Sequence, residues 1–255
     1  MTLRSYTDLL CSFVTDHQAS LVRRPIMTVL QNRSPFQVAL VVRPPLTGVV
    51  ALALTHIRAA SVEMQISEVG KAGCDFAVLD EAAADGGLRE AIAEMVTSNR
   101  PVLVLVRNHG MQGALSAIGL GATEILRVPF DPAELVIRAS QAIHRTTGHL
   151  PELDGNVKVG KLHVDVTNGH IAMNGSAPHL TPLERGLLYV LIANAGRVVS
   201  REDIIDCVWG ADAEPNSNLV DRHIRDLRRK LQDDWRRPNL LATMRGQGYM
   251  VPITD

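Results

Sequence analysis

One carboxylate, Asp80, stands where an open α/β sheet places its chemistry. The apolar run Phe76–Leu79 is typical of a buried strand, and Asp80 follows it directly. Reacting groups and ligands of such sheets gather at the carboxyl ends of the strands. Asp80 is therefore a candidate acceptor, provided that other residues supply the partners that would make it reactive.

A second group of residues has the spacing of a nucleic-acid-binding helix. The segment 217–232 (SNLVDRHIRDLRRKLQ) carries two stripes at helical spacing. The apolar stripe predicts a buried face and comprises Val220, Ile224, Leu227 and Leu231. The polar stripe is mostly basic and comprises Asn218, Arg222, Arg225 and Arg229. A basic helix face fits the major groove of DNA, with a solvated charged surface as the alternative.

Composition limits the other classes of function. Lys+Arg 26 against Asp+Glu 27 leaves a net charge of -1, so nucleic-acid binding has to come from a local patch. Cys11, Cys74 and Cys207 are far apart and favour free thiols in a reducing compartment. No stretch approaches the roughly 18 apolar residues of a membrane span, so we expect a cytoplasmic protein without a membrane partner. The 9 histidines form no HxxxH or triad-like motif, and we predict no enzyme, metal or cofactor.

The elements that must position these residues fall into two groups. The 255 residues suit two domains. Residues 1–34 carry an apolar stripe at helical spacing and predict a helical extension. In 35–147 strands alternate with helices, which predicts a parallel sheet covered on both faces. The predicted strands are Gln37–Val42, Val62–Ile66, Cys74–Leu79, Pro101–Val106 and Thr123–Arg127, and the predicted helices are Leu46–Arg58, Leu88–Thr97, Gly113–Leu120 and Asp131–Arg145.

The pattern changes after a predicted linker at 148–156. Two Asn-Gly pairs in 162–180 indicate tight hairpins in a small antiparallel sheet. Three helices follow, the first opened by the capping box Thr181–Glu184, the second capped by Ser200, and the third by Asn216 or Ser217. The end of the chain, TMRGQGYMV, predicts a strand, a turn and a strand.

Residues 157–255 resemble the DNA-binding domain of the OmpR/PhoB family of response regulators, a winged helix-turn-helix. The matching text is LTPLERGLLYVLIANAGRVVSREDIIDCVWG, NLVDRHIRDLRRKL and TMRGQGYMV. The resemblance implies promoter DNA as a partner, with the helix that starts near Ser217 in the major groove. The resemblance implies that Asn218, Asp221 and Arg222 approach base edges, that His223, Arg225 and Arg228 contact phosphates, and that Arg245 reaches the minor groove. Arg229, on the basic stripe of the same helix, completes the expected DNA-binding residues.

Two further features follow from the same resemblance. The family often has a basic residue where this chain has Asp226. We expect Asp226 to pair with Arg222 or Arg229, with a hydrogen bond accepted from cytosine N4 as the alternative. In relatives the loop between the second and third helices touches RNA polymerase, which assigns Asp212 and Glu214 to that contact.

Residues 35–147 resemble the receiver domain of the same family, a flavodoxin-like α/β fold. CDFAVLD matches the strand that ends in the phosphoacceptor, here Asp80, and GATEILRVPFDPAELVIRASQAIHR matches the last strand and helix. Phosphoryl transfer to a carboxylate needs a divalent cation. Receivers hold it with an acidic pair where this chain has Arg43-Pro44, and their lysine, hydroxyl and aromatic residue are replaced by Val128, Val106 and Ile125.

Those losses predict a pseudo-receiver that works without phosphorylation. Strand adjacency favours Arg43 as the cation beside Asp80, with two solvated side chains as the alternative. Family receivers dimerise through a face on which Glu124 and Arg138 fall at matching positions, so we expect a homodimeric regulator. The alternatives are a regulator whose receiver-like domain senses a small ligand, and a phosphorelay protein that acts through protein contacts.

Overall fold

The computed structural model describes residues 36–107, 111–154, 156–159, 162–165, 169–173, 177–210, 213 and 218–253. Arg33–Asp255 form one compact unit. The domain boundaries at 147 and 157 therefore stay a prediction. The predicted helical extension 1–34 lies outside the described residues, as do Asp212 and Glu214.

The first part of the unit is a five-stranded parallel sheet in the order β2-β1-β3-β4-β5. Its strands are β1 (Phe36–Val41), β2 (Ala59–Glu63), β3 (Phe76–Asp80), β4 (Val102–Val106) and β5 (Glu124–Arg127). Its helices are α1 (Leu46–Thr55), α2 (Leu88–Thr97), α3 (Met111–Gly119) and α4 (Pro132–Thr147). Strands β3 and β4 are buried along their whole length, which explains their continuous apolar runs. The receiver-like α/β prediction is confirmed.

The second strand was predicted too far along the chain. Strand β2 pairs in parallel with β1 from Ala59, which lies opposite Phe36, and this pairing ends at Glu63. The next residues form a short 3-10 turn, Ile66–Glu68, opened by Gln65 and Glu68 as a capping box. The apolar alternation in 62–66 therefore spans the end of a strand and a turn. Hydrogen bonding to β1, rather than the local apolar pattern, decides where the strand ends.

The second part of the unit is a winged helix. Its elements are β6 (Val157–Val159), β7 (Leu162–Asp165), β8 (His170–Met173), α5 (Pro182–Ala193), α6 (Arg201–Val208), α7 (Leu219–Leu231), β9 (Ala242–Met244) and β10 (Gly248–Met250). The capping box of α5 is confirmed, since Thr181 Oγ1 accepts from Glu184 N and the Glu184 carboxylate accepts from Thr181 N. The N-cap of α7 is Asn218, one or two residues later than predicted.

The two parts share one apolar core. A single cluster of buried side chains runs from α1, α4 and one face of the sheet into α5, α7 and β7. Helices α1 and α5 approach closely at Gly48, where a Cβ atom would lie 2.6 Å from the Ala193 carbonyl oxygen. Beside this crossing, Asn194 Nδ2 donates to the Pro45 carbonyl at 3.0 Å. Glycine at 48 is therefore what lets the two helices meet.

Candidate nucleic-acid interface and the buried acidic position

Helix α7 has one buried face and one basic face, as its spacing predicts. The apolar stripe is buried throughout: Val220, Ile224, Leu227 and Leu231. On the other side Arg222 and Arg225 are exposed. Within the part of the chain that the structure describes, neither arginine has an ion-pair partner. Both guanidinium groups lie on the exposed face of the helix, where an external anion could meet them.

Asp221 holds the start of α7 against its neighbours. Its carboxylate lies 2.9 Å from Arg201 Nη2 at the start of α6 and accepts a hydrogen bond from the Tyr249 hydroxyl on β10. The Arg201 guanidinium also stacks 4.9 Å from the centre of the Tyr249 ring. Burial and the hydrogen bond to Asp221 raise the pKa of Tyr249 to about 12. The acid thus joins α6, α7 and the hairpin, whether or not it also reaches a base.

Two other predicted phosphate contacts also make internal contacts. Arg228 Nη2 donates to the Leu241 carbonyl at 2.6 Å and to Thr243 Oγ1 at 2.8 Å, which ties α7 to β9. His223 Nδ1 lies 3.0 Å from the Leu219 carbonyl oxygen, and its ring meets the edge of Trp209 at 5.2 Å.

The remaining acid of the helix has a local partner. Asp226 Oδ1 lies 3.1 Å from Arg229 Nη2. The predicted pairing of Asp226 is thereby confirmed with Arg229, and Arg222 forms no ion pair with any residue in the described ranges.

The hairpin of β9 and β10 presents a basic tip. Gly248 pairs with Met244, and the turn between them contains Gly246 at a φ of 72°, a conformation that favours glycine. Arg245 precedes that glycine and is exposed. The tip therefore carries an exposed cation.

Asp80 is fully buried, and both of its oxygens are engaged. Oδ1 accepts from the Ala82 backbone N–H at 3.0 Å and caps the short helix Glu81–Ala83. Oδ2 lies 3.3 Å from Arg107 Nη2. The expectation that Arg43 supplies this cation is wrong, because Arg43 is exposed. Strand β3 lies between β1 and β4, and the arginine that reaches Asp80 follows β4.

Arg107 also reaches into the winged helix. Its Nη1 forms an ion pair with Asp206 of α6, and its backbone N–H donates to Glu81 Oε1 at 2.5 Å. Burial opposes the charge of Arg107, but hydrogen bonds to Asp206 and Asp80 outweigh it and raise the pKa. Sequence reasoning missed Arg107, although an arginine directly after the strand beside β3 is a usable signal.

The other positions that differ from a receiver are apolar and mostly buried. Val106 and Val128 are buried and Ile125 is half-buried. Within the described ranges, no group of three or more His, Cys, Asp or Glu side chains is placed to hold a metal ion.

Glu124 and Arg138 lie next to each other in the same chain. Glu124 is buried at the start of β5, 3.3 Å from Arg138 and 2.5 Å from Arg145. Arg138 also pairs with Glu134 at 2.8 Å, and the hydrogen bond to that carboxylate raises the pKa of Arg138 despite its partial burial. Glu124 and Arg138 thus pair with each other within the chain, and their part in a dimer face stays a prediction.

Three apolar side chains are exposed on one face of α3. They follow helical spacing and comprise Met111, Leu115 and Ile118. A stripe of this kind on a helix surface is typical of a contact with another molecule.

A receiver-like sheet followed by a winged helix with an exposed basic face defines a DNA-binding transcriptional regulator. The family model described as "Transcriptional regulatory protein, C terminal" matches residues 175–251. The sensory transduction protein RegX3 of Mycobacterium leprae is 30% identical over 188 residues, 73% of this chain and 95% of the relative. The transcriptional regulatory protein TrcR of Mycobacterium tuberculosis is 31% identical over 227 residues, 86% of this chain and 87% of the relative. The chain belongs to the OmpR/PhoB family of response regulators.

A solved structure gives a further comparison. The response regulator DrrB of Thermotoga maritima, an OmpR/PhoB homolog, is 24% identical, covers 85% of this chain and 99% of its own, and has a TM-score of 0.37. Among the described residues, no helix combines the length and apolar character needed to cross a membrane.

Proposed function

We propose that this protein is a homodimeric, sequence-specific regulator whose degenerate receiver works without aspartyl phosphorylation. The observation that carries the proposal is the burial and bonding of the Asp80 side chain. Its side chain has no exposed surface, and one oxygen is held by Arg107 while the other caps a helix. A phosphoryl donor and its metal would have to displace both contacts before they reached the carboxylate.

The missing partners support the same proposal. A phosphoryl group on Asp80 would need a divalent cation, and the residues after β1 are Arg43 and Pro44, which offer no carboxylate. Val106 and Val128 offer neither a hydroxyl nor an ammonium group to the phosphoryl oxygens. Arg107 instead supplies the positive charge permanently, so the sheet end is held in one arrangement.

DNA contact is proposed through α7 and the hairpin tip. Arg222 and Arg225 are exposed on the face of α7 opposite its buried stripe, which suits the major groove. Arg245 at the hairpin tip suits the adjacent minor groove. Asp221, His223 and Arg228 have internal partners that orient the helix, and contacts of these residues with DNA would be additional.

The homodimer is proposed through α3, β5 and α4. The exposed apolar stripe of α3 would supply an apolar centre, and the paired charges Glu124 and Arg138 would supply a polar rim. A second copy of the chain is the partner that family resemblance implies. RNA polymerase, through Asp212 and Glu214, is proposed from the same resemblance alone.

Phosphorylation is tested directly with acetyl phosphate and Mg²⁺. We expect the intact mass to stay unchanged and the DNA affinity to stay the same, while a response regulator with a complete acidic pair gains one phosphoryl group in parallel. Asp80→Asn should keep promoter binding, because it retains the shape of the side chain. A base-labile phosphoryl adduct on Asp80 accompanied by tighter DNA binding would refute the proposal.

A further inference from the structure

A cavity of about 300 Å³ lies where the sheet part meets the winged helix. Its walls come from the start of α1, the β5–α4 junction, β7, β8, α5 and the end of α6. Most of the lining is apolar, including Leu46, Phe130, Ile171 and Val190. Leu183 lines it and is 40% exposed, so the cavity reaches the surface. Its volume is at the lower end of the range for small-molecule sites.

Tyr189 gives this cavity a buried polar group that needs a partner. The side chain lines the cavity and is only 4% exposed. Its hydroxyl is buried and forms no hydrogen bond with any described residue. Burial, with a smaller contribution from the nearby Asp131 carboxylate, raises the pKa of Tyr189 well above its usual range, so the hydroxyl stays protonated. Buried hydroxyl groups are normally satisfied, which makes this one a place for a ligand atom.

The charges around the cavity limit what can enter. Three carboxylates line it, those of Asp131, Glu134 and Asp165, against one guanidinium, that of Arg185. Glu134 is paired with Arg138, so the Asp131 carboxylate, whose charge acts on the Tyr189 hydroxyl, is the group that would disfavour an anion there. One oxygen of Asp131 accepts from the Ala133 backbone N–H at 2.9 Å, and the other remains able to accept.

We propose that this cavity binds a small neutral alcohol or phenol with an apolar body. The ligand hydroxyl would accept a hydrogen bond from Tyr189 and donate one to Asp131, while the apolar body fills the space beside Leu46 and Val190. Because both parts of the protein contribute walls, an occupied cavity would bias how the winged helix is held. That regulatory consequence rests on the proposed DNA-binding function, whereas occupancy of the cavity does not.

The test compares two probes of nearly equal shape, p-cresol and toluene, by calorimetric titration of the full chain without DNA. We expect p-cresol to bind more tightly than toluene. Tyr189→Phe should weaken p-cresol by roughly fivefold, the loss of one hydrogen bond, and leave toluene unchanged. This variant should fold, because it removes only a hydroxyl group that forms no hydrogen bond with the described part of the chain.

Gly186→Leu provides a second, independent variant. A Cβ atom at Gly186 would meet only Val208 Cγ1, at 3.8 Å, so a larger side chain can be placed there and would fill the cavity. It should abolish binding of both probes. Equal affinity for the two probes, p-cresol binding that is insensitive to Tyr189→Phe, or no binding of either probe at millimolar concentration would overturn the proposal. If the probes bind as expected but the protein binds no DNA, the proposed function fails and the cavity site stands.

Discussion

Arg107 and Asp206 form an ion pair that joins the carboxyl end of β4 to helix α6. The same guanidinium holds Asp80, so one side chain connects the position of a receiver's phosphoacceptor to the winged helix. In a phosphorylated regulator, a signal at this position has to be transmitted across the molecule. Here the connection is a direct contact that is already made.

Removal of Arg107 should destabilise the protein. Arg107→Ala leaves the fully buried Asp80 without its cation, and breaking a buried pair in this way costs about 3 kcal/mol. Urea denaturation would measure the loss.

Arg58→Ala is the matched control: its pair with Glu152 is exposed, and the loss of that pair should lower the free energy of unfolding by less than about 1 kcal/mol. Asp80→Asn combined with Arg107→Met should lower the free energy of unfolding by less than the sum of the two single substitutions. Equal effects of Arg107→Ala and Arg58→Ala would contradict the assignment.

Two arginines on α7 should respond differently to the same substitution. Arg225→Ala should weaken DNA binding across sequences and reduce the salt slope by about 1, with little change in stability, because the side chain is exposed. Arg228→Ala should also lower the free energy of unfolding, since it removes hydrogen bonds to Leu241 and Thr243. Salt-dependent binding curves and denaturation of each variant would separate the two roles.

Arg222→Ala should change which sites are preferred. A lost base contact is worth about 1–3 kcal/mol of discrimination at one position, whereas a lost phosphate contact weakens all sites alike. Binding to a library of operator variants would measure this. A folded protein carrying alanine at Arg222, Arg225, Arg228 and Arg245 that still bound its promoter normally would rule out this interface.

The dimer should depend on the exposed face of α3. Leu115 is 57% exposed, and Leu115→Glu should shift the protein towards monomer in sedimentation equilibrium at micromolar concentration. Val62→Glu makes the same kind of change on β2, at the opposite edge of the sheet, and should leave the assembly state as it was. A wild-type chain that stayed monomeric both free and on DNA would exclude the dimer.

Stability should fall in mild acid because of His56. The ring is fully buried, with Nδ1 2.8 Å from the Asp154 carbonyl oxygen. Burial lowers the pKa of His56, although Asp154 and Asp165 act in the opposite direction. The unfolded chain therefore takes up the proton more readily, and stability is lost as the pH falls below about 6.5, by at most about 1.4 kcal/mol per pH unit.

Substitution isolates that contribution. His56→Gln should flatten the dependence of unfolding free energy on pH between 7.5 and 5.5 relative to wild type. His163→Gln makes the same exchange at an exposed position and serves as the control. Parallel curves for wild type and His56→Gln would show that His56 does not contribute.

Local signals in the sequence predicted local structure well. The Thr181–Glu184 capping box and the buried stripe of α7 are properties of neighbouring residues, and both are present. The true partner of Asp80 was not predicted, because Arg107 is held by two contacts between residues distant in the chain. Arg107 lies 27 residues from Asp80 and 99 residues from Asp206 along the sequence. Both strands beside β3 are followed by an arginine, and only the fold decides which of the two turns inward.

The crossing at Gly48 also limits how the sequence can change. Any larger side chain there would push against Ala193 and Asn194, which belong to the winged helix. Substitutions in α1 and α5 therefore have to be matched to each other. A chimera that took either part from a relative would need the facing helix from the same source. The receiver-like and DNA-binding parts of this chain are therefore a fitted pair rather than exchangeable modules.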